Sequence, residues 1–281
     1  MKPVYFVGII ALVLGITSVA CSSHSNEPSA FSEQEVEATP SVGLTDWDNF
    51  NKSLDSLNAQ YKALRPNGVK YQVSSSIPTY QLATADAKGA VKWLEIIKTL
   101  SNGQVMVKPT TVVMSVLHSF EEYREYTDID TTSAPITPVY NSRPIPTLEY
   151  INSYAEVGEE HNQVLRNLLE MQDAFNMRRD ELILTIIDLY EEQYSIIPTS
   201  SKAKLRNLLE DMRSARIKRE VLDVTEDFTE TIATMNIVTK RSYTDDFVEL
   251  VDSTITDTHD RRQLKTYASV MYYSSSFWVA E

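Results

Sequence analysis

Apolar side chains recur at intervals of three and four residues through most of this chain from Leu44 onward. A helix places residues with this spacing on one side, where they can be buried together. The first such set comprises Trp47, Phe50, Leu54, Leu57, Tyr61 and Leu64. Only 7 glycines occur in 281 residues, which favours helices over a turn-rich β architecture. We therefore predict an all-α fold, an irregular bundle of seven to nine helices in a single domain over residues 44–281.

Polar residues mark where the predicted helices begin. Either residue of Thr45-Asp46 can cap the first helix, and Thr84 is the predicted cap of the second. A long helix is predicted from near Thr147 to Phe175 because apolar spacing continues through that stretch. Either residue of Ser200-Ser201 is expected to cap a later helix, since both follow a proline that ends the preceding one.

The first 20 residues have the organisation of a secretory signal. Lys2 supplies a charged start, residues 4–16 are almost wholly apolar, and small residues follow. The segment Ser18-Val19-Ala20-Cys21 resembles the lipobox of bacterial lipoproteins, in which the cysteine after the cleavage site is acylated. Ser18 departs from that family, which more often has Leu there. An ordinary cleaved signal peptide and an uncleaved N-terminal anchor remain as alternatives.

The lipoprotein resemblance implies where the mature protein is held. Cys21 would carry fatty acyl groups and attach the chain to a membrane of the cell envelope. Ser22 is similar to the sorting context for the outer membrane, because Asp is the usual inner-membrane retention signal at that position. Residues 22–42 are polar, rich in Ser, Glu and Pro, and without periodicity, so we expect a disordered tether. The predicted organisation is a signal peptide over 1–20, a lipidated tether over 21–43 and the helical domain.

Charge and cysteine content exclude several classes of partner and site. The chain has 39 acidic and 26 basic residues, a formal net charge of −13. Nucleic acids and anionic bilayers need clustered cations, so neither is expected as an electrostatic partner. Cys21 is the only cysteine, which rules out an intrachain disulfide or a thiolate metal cage. No cofactor is predicted, because no glycine-rich phosphate loop is present.

Three short segments together resemble motifs of a group of uncharacterised, exported, mostly helical bacterial proteins. They are Ala85-Asp86-Ala87-Lys88-Gly89-Ala90, Val157-Gly158-Glu159-Glu160-His161-Asn162, and the ending from Ala268 to Trp278. Gly-Glu-x-His-Asn is the most recognisable motif of that group. The first motif is often followed there by a run of Gly and Ala, which this chain lacks. The resemblance implies an exported helical protein and brings no established activity with it.

The central motif contains the principal candidate residue, His161. It follows Val157 by four residues and precedes Leu165 by four, so the imidazole should point inward with the apolar stripe. If a nitrogen of a buried ring lacks a hydrogen-bond partner, the loss of its bonds to water costs about 1–3 kcal/mol. Asp86 is the expected acceptor for one ring N–H. Gly158, without a side chain, should let another helix approach closely.

Two hypotheses follow for this histidine. In the favoured one, His161, Asp86 and Asn162 form a buried polar network that fixes helix packing, with Asn162 bonded to backbone or to the C-terminal serines. In the other, His161 is a general base of a hydrolase, with Asp86 or Glu160 as its partner. No metal site is predicted, because Glu159, Glu160 and His161 are contiguous and point in different directions around a helix.

The aromatic ending allows two interpretations. Tyr273 and Trp278, with Asn162, could form a binding surface for a carbohydrate or a protein partner, or the aromatic rings could dock back onto the domain. As a whole, the sequence predicts a lipid-anchored envelope protein with a binding or structural role and no catalytic activity. Its expected partners are the membrane, through the lipid, and an envelope protein or glycan. The alternatives are the hydrolase and an extracellular adhesin or nutrient-capture accessory.

Overall fold

The structure, a computed structural model, describes residues 45–64, 79–100, 107–127, 140–149, 154–208 and 216–278. Regular structure within these ranges is helical throughout, with nine α-helices, one short 3₁₀ helix and no strand. The predicted all-α fold is confirmed. The predicted signal peptide and tether, including Cys21, lie outside the described residues, all of which belong to one compact unit that spans Gly43–Glu281.

Nine α-helices follow one another along the described ranges. They are α1 (Asp46–Ala63), α2 (Thr79–Leu100), α3 (Val107–Thr127), α4 (Ala155–Glu170), α5 (Arg179–Gln193), α6 (Thr199–Leu208), α7 (Arg219–Ile232), α8 (Ile237–Thr254) and α9 (Thr258–Phe277). The 3₁₀ helix, Gln172–Asn176, lies between α4 and α5. No helix among the described residues is both long enough and apolar enough to cross a lipid bilayer.

Side-chain caps fix the starts of the first and last helices. The backbone N–H of Asp48 donates to Thr45 Oγ1 at 3.2 Å, and the N–H of Thr45 donates to Asp48 Oδ2 at 3.0 Å. This reciprocal pair satisfies two amide groups that the helix itself leaves without partners. At the start of α9, Asp257 Oδ1 accepts from the N–H groups of His259 and Asp260 at 2.8 and 2.9 Å. The predicted cap at Thr45 is therefore confirmed.

Two other predicted caps are wrong. Helix α2 begins at Thr79, five residues before the expected cap Thr84. The Thr84 hydroxyl donates instead to the carbonyl oxygen four residues earlier, at 2.9 Å. Threonine can satisfy its hydroxyl this way inside a helix as well as at a cap. Helix α6 begins at Thr199, so Ser200 and Ser201 lie within it.

The long helix predicted from Thr147 to Phe175 is also wrong in extent. Helix α4 begins only at Ala155, and Phe175 belongs to the separate 3₁₀ helix. The described residues 140–149 before it have no helical structure. Tyrosines of α9 form hydrogen bonds with the backbone of this segment. For example, the Tyr272 hydroxyl donates to the Pro146 carbonyl oxygen at 2.7 Å. These tertiary bonds hold the connection in a non-helical path against α9.

Helix α9 is the central element of the bundle. It packs against α2, α4, α7 and α8. Helix α3 joins α2 to α4 and α5, while α1 packs on α7 and α8. Every residue from Thr266 to Trp278 is buried. The C-terminal half of α9 therefore has neighbours all round, and its side chains bring the other helices together.

Two glycines allow close contacts between helices. A Cβ atom on Gly158 would lie 2.5 Å from the backbone oxygen of Ser269, so α4 and α9 touch through their backbones there. The close approach predicted at Gly158 is confirmed. A Cβ atom on Gly89 would lie 2.7 Å from Cδ2 of His118, where α2 meets α3. Both glycines belong to the motifs recognised in the sequence. At each position, an added side chain would collide with the neighbouring helix.

Candidate functional site

Helices α2, α3, α4 and α9 meet around a group of polar side chains deep in the bundle. Each of these side chains is at most 4 % exposed. We call this group the core polar cluster; it consists of Asp86, Ser119, His161, Asn162, Ser274 and Trp278. It contains the histidine, the aspartate and the asparagine that the sequence singled out, together with Ser119 on α3, which the sequence analysis missed.

Both ring nitrogens of His161 have partners. Nε2 lies 2.8 Å from Ser119 Oγ, and Nδ1 lies 3.0 Å from Asn162 Oδ1. Ser119 Oγ is also 2.8 Å from the Ser115 carbonyl oxygen, and the Ser274 hydroxyl donates to Asn162 Oδ1 at 3.4 Å. The ring is fully buried, as its position in the apolar stripe predicted. Its hydrogen bonds offset the cost of removing it from water.

Asp86 lies in the cluster but is bonded differently from what the sequence predicted. Its Oδ2 accepts from the indole Nε1–H of Trp278 at 2.9 Å, which joins α2 to the C-terminal end of α9. Among the described residues, the expected direct bond between Asp86 and His161 is absent, because the Ser119 hydroxyl lies at Nε2 of the ring. Ser119 also lies close enough to Asp86 to oppose the rise that burial causes in the pKa of its carboxyl.

Burial determines the protonation states of Asp86 and His161. Removal from water raises the pKa of Asp86, although His161, Ser119 and Trp278 oppose the shift. Burial lowers the pKa of His161, against the attraction of Asp86. Both shifts favour neutral groups. No described residue gives Asp86 Oδ1 a hydrogen bond, and a protonated carboxyl would turn this buried oxygen into a donor toward the neighbouring hydroxyls.

Complete burial limits what His161 can do chemically. A general base must come within about 2.6–3.2 Å of the proton that it removes from a substrate. His161 and Asp86 are both 0 % exposed, and helices surround them. The geometry therefore fits a network that sets helix packing better than it fits a catalytic pair.

Glu160 is separated from the cluster, although it precedes His161 in sequence. Its Oε1 lies 2.7 Å from Lys108 Nζ, and its Oε2 accepts from the Tyr190 hydroxyl at 3.2 Å. Glu160 thus links α4 to α3 and α5 and cannot orient the imidazole. Across the described ranges, no group of three His, Cys, Asp or Glu side chains is arranged to hold a metal ion.

The aromatic ending docks onto the domain. Trp278 stacks on Tyr123 with ring centroids 5.2 Å apart and an angle of 18° between the rings. Tyr273 is 2 % exposed, and its hydroxyl accepts from the Leu148 N–H at 3.4 Å. With Asn162 also buried, the candidate binding surface of Asn162, Tyr273 and Trp278 does not exist as an exposed platform.

Sequence analysis also missed Lys240, which is 7 % exposed in α8. Its Nζ donates to the carbonyl oxygen and to Oγ of Ser275, at 3.1 and 3.0 Å. The last carbonyls of a helix lack partners within it and attract a cation, so Lys240 caps the end of α9. Burial alone lowers the pKa of Lys240, to about 8. Its spacing from the buried Tyr243 and Phe247 was the available signal, because both share its side of the helix.

Lys240→Met should alter the pH dependence of stability in a defined direction. An unfolded lysine keeps its proton up to about pH 10.4, whereas folded Lys240 loses it near pH 8. Between these values the unfolded state binds more protons, so the contribution of Lys240 to stability rises with pH. Urea unfolding should therefore show that wild type gains stability relative to Lys240→Met from about pH 8 to about pH 10.

The tyrosines that ionise in this range are present in both chains, so their effect cancels in the difference. Lys52→Met, at an exposed position of α1, serves as the control and should show no such gain. A difference between wild type and Lys240→Met that stays flat or falls with pH would contradict the buried, partly deprotonated lysine.

Comparisons with protein families, with curated proteins and with solved structures found no match to this chain. What the protein does must therefore be argued from its own residues.

Proposed function

We propose that this protein is a lipid-anchored component of the cell envelope with a binding or structural role and without catalysis at His161. Cys21 is the site of acylation, and residues 21–43 separate the lipid from the helical domain. The observation that carries the non-catalytic part is the complete burial of His161 and Asp86. The lipobox-like segment supports the anchor, and Ser22 supports the outer membrane.

Because the chain is acidic, the lipid rather than electrostatic attraction attaches the protein to the membrane. A protein with a formal net charge of −13 is repelled by an anionic bilayer surface. Acyl chains contribute about 0.8 kcal/mol for each buried CH2, and two or more chains give stable attachment where one gives reversible attachment. The folded domain then contributes through what it binds or holds, at a distance from the membrane set by the tether.

The hydrolase alternative has less support. It needs His161 within reach of a substrate, and it needs a partner that orients the ring. Glu160 is bonded to Lys108 and Tyr190. The ring nitrogen that was expected to bond to Asp86 lies against the Ser119 hydroxyl instead. The polar groups around His161 are those of a packing network.

Substitution of His161 separates the two hypotheses. His161→Ala should lower the free energy of unfolding by at least ~2 kcal/mol, because it leaves a cavity and removes one hydrogen bond each from Ser119 and Asn162. His161→Gln should lower it less, since an amide can replace part of the bonding. Urea unfolding followed by circular dichroism measures both.

His259→Ala is the matched control. The side chain of His259 is 14 % exposed and makes one bond, to Glu95 Oε2 at 2.8 Å, so the loss should be less than half that of His161→Ala. If His161→Ala keeps the stability of wild type while a hydrolytic activity found by substrate screening disappears, His161 is catalytic and the packing role is wrong.

Replacement of Cys21 tests the anchor. Cys21→Ala should move the protein from the membrane fraction to the soluble fraction of lysed cells, because no acyl group can then be attached. Ser23→Ala, two residues further on, should leave it in the membrane fraction. Retention of Cys21→Ala in the membrane would mean that the apolar N-terminal segment holds the protein, and the lipoprotein proposal would be wrong.

A further inference from the structure

An open groove with a volume of about 530 Å³ lies between α2, α3 and α7, away from the core polar cluster. Helix α2 forms its length, from Tyr80 at one end to Lys92 at the other. Asp86 and Lys88 are two residues apart on α2, so their side chains leave the helix in nearly opposite directions. The same helix therefore presents one face to the cluster and another to the groove.

Two lysines form the basic end of the groove. Lys88 and Lys92 are one helical turn apart on α2, about 6 Å along its axis. Both are half-buried, and neither forms an ion pair with any described residue. Burial, followed by repulsion from Lys92, lowers the pKa of the neighbouring His118 to about 4. His118 is therefore neutral. Glu122 of α3 also lies at this end and interacts with the charge of Lys92, so the two ammonium groups and one carboxylate leave a net positive charge there.

Two glutamates form the acidic end. Glu226 and Glu230 are one turn apart on α7, and neither is ion-paired within the described ranges. Burial, followed by the charge of Glu230, raises the pKa of the Tyr80 phenol to about 12, so Glu230 lies near Tyr80. Tyr80 precedes Lys88 by eight residues, which is about 12 Å along α2. Glu230 thus lies toward the Tyr80 end of the groove, while the two lysines lie toward its other end.

We propose that this groove binds a short peptide of about three residues with free termini. Its ammonium group would lie at Glu226 and Glu230, and its carboxylate at Lys88 and Lys92. An extended chain spans about 3.3–3.6 Å per residue, so three residues cover about 10–11 Å. The volume lies within the range of about 300–1,000 Å³ that is usual for small-ligand sites.

Other ligand classes match the groove less well. A simple anion would satisfy the lysines and leave the glutamates unpaired, and a neutral sugar would leave both pairs of charges without partners. A zwitterion of this length offers the lysines a carboxylate and offers Glu226 and Glu230 an ammonium group. This inference rests on the binding role proposed above, but it depends neither on the lipid nor on His161.

Calorimetric titration of the full-length mature protein in detergent tests the ligand chemistry, with trialanine as the probe. Trialanine should bind with a dissociation constant below about 1 mM. N-acetyl-trialanine lacks the ammonium group and trialanine amide lacks the carboxylate. Each should bind at least about tenfold more weakly, because one pair of charges then loses its partner.

Variants test which end of the groove binds which terminus. The double variant Lys88→Gln/Lys92→Gln should weaken trialanine binding by at least about tenfold and have little effect on the amide. Glu226→Gln/Glu230→Gln should weaken trialanine similarly and have little effect on the acetylated peptide. The control Lys52→Gln/Lys98→Gln removes the same number of charges from exposed positions and should leave the affinity within about twofold of wild type.

Three results would overturn the inference. They are no trialanine binding at about 10 mM, equal binding of all three peptides, and displacement of trialanine by inorganic phosphate at equal affinity. Such a failure is distinguishable from failure of the proposed function. The membrane fractionation of Cys21→Ala and the unfolding of His161→Ala are measured without any peptide, and Cys21→Ala should bind trialanine as wild type does.

Discussion

The hydrogen bonds of the core polar cluster constrain the arrangement of four helices at once. The His161 ring lies on α4, one of its partners is Ser119 on α3, and its other partner, Asn162, accepts from Ser274 on α9. Asp86 completes the set from α2 through the indole of Trp278. Because a buried polar group without a partner costs about 1–3 kcal/mol, a shift of any one helix breaks bonds in the others. The apolar core supplies most of the stability, and the core polar cluster selects one packing from the many that an apolar core allows.

The rest of the bundle is consistent with this constraint. Gly158 lets the backbones of α4 and α9 touch, which brings Asn162 within reach of Ser274. At the C-terminal end of α9, the bonds of Trp278 and Lys240 attach the last turn to α2 and α8. Helix α2 is thereby held in place on its inner face. Its outer face forms the charged groove, so the cluster also fixes the positions of the groove lysines.

Much of the fold could be predicted from the sequence, because helical spacing and caps are local. The inward position of His161 and the need for a small residue at Gly158 follow from the same periodicity. The start of α2 could not be predicted from Thr84, since threonine is compatible with a cap and with a helix interior. Ser119 and the pairing of Asp86 with Trp278 depend on helices that are distant in sequence. The groove was missed for the same reason, because α2 and α7 are more than a hundred residues apart along the chain.

Hydrogen exchange of the Trp278 indole N–H measures most directly whether the core polar cluster is sealed. In an ¹⁵N NMR spectrum, with the signal assigned by its loss in Trp278→Phe, we expect this proton to exchange only through unfolding of the whole domain. Its protection free energy should then equal the free energy of unfolding measured with urea. The indole of Trp47, which is half-buried on α1, provides a reference that exchanges quickly. If the Trp278 proton exchanges as fast as that of Trp47, the cluster is open to water and the packing role of His161 is wrong.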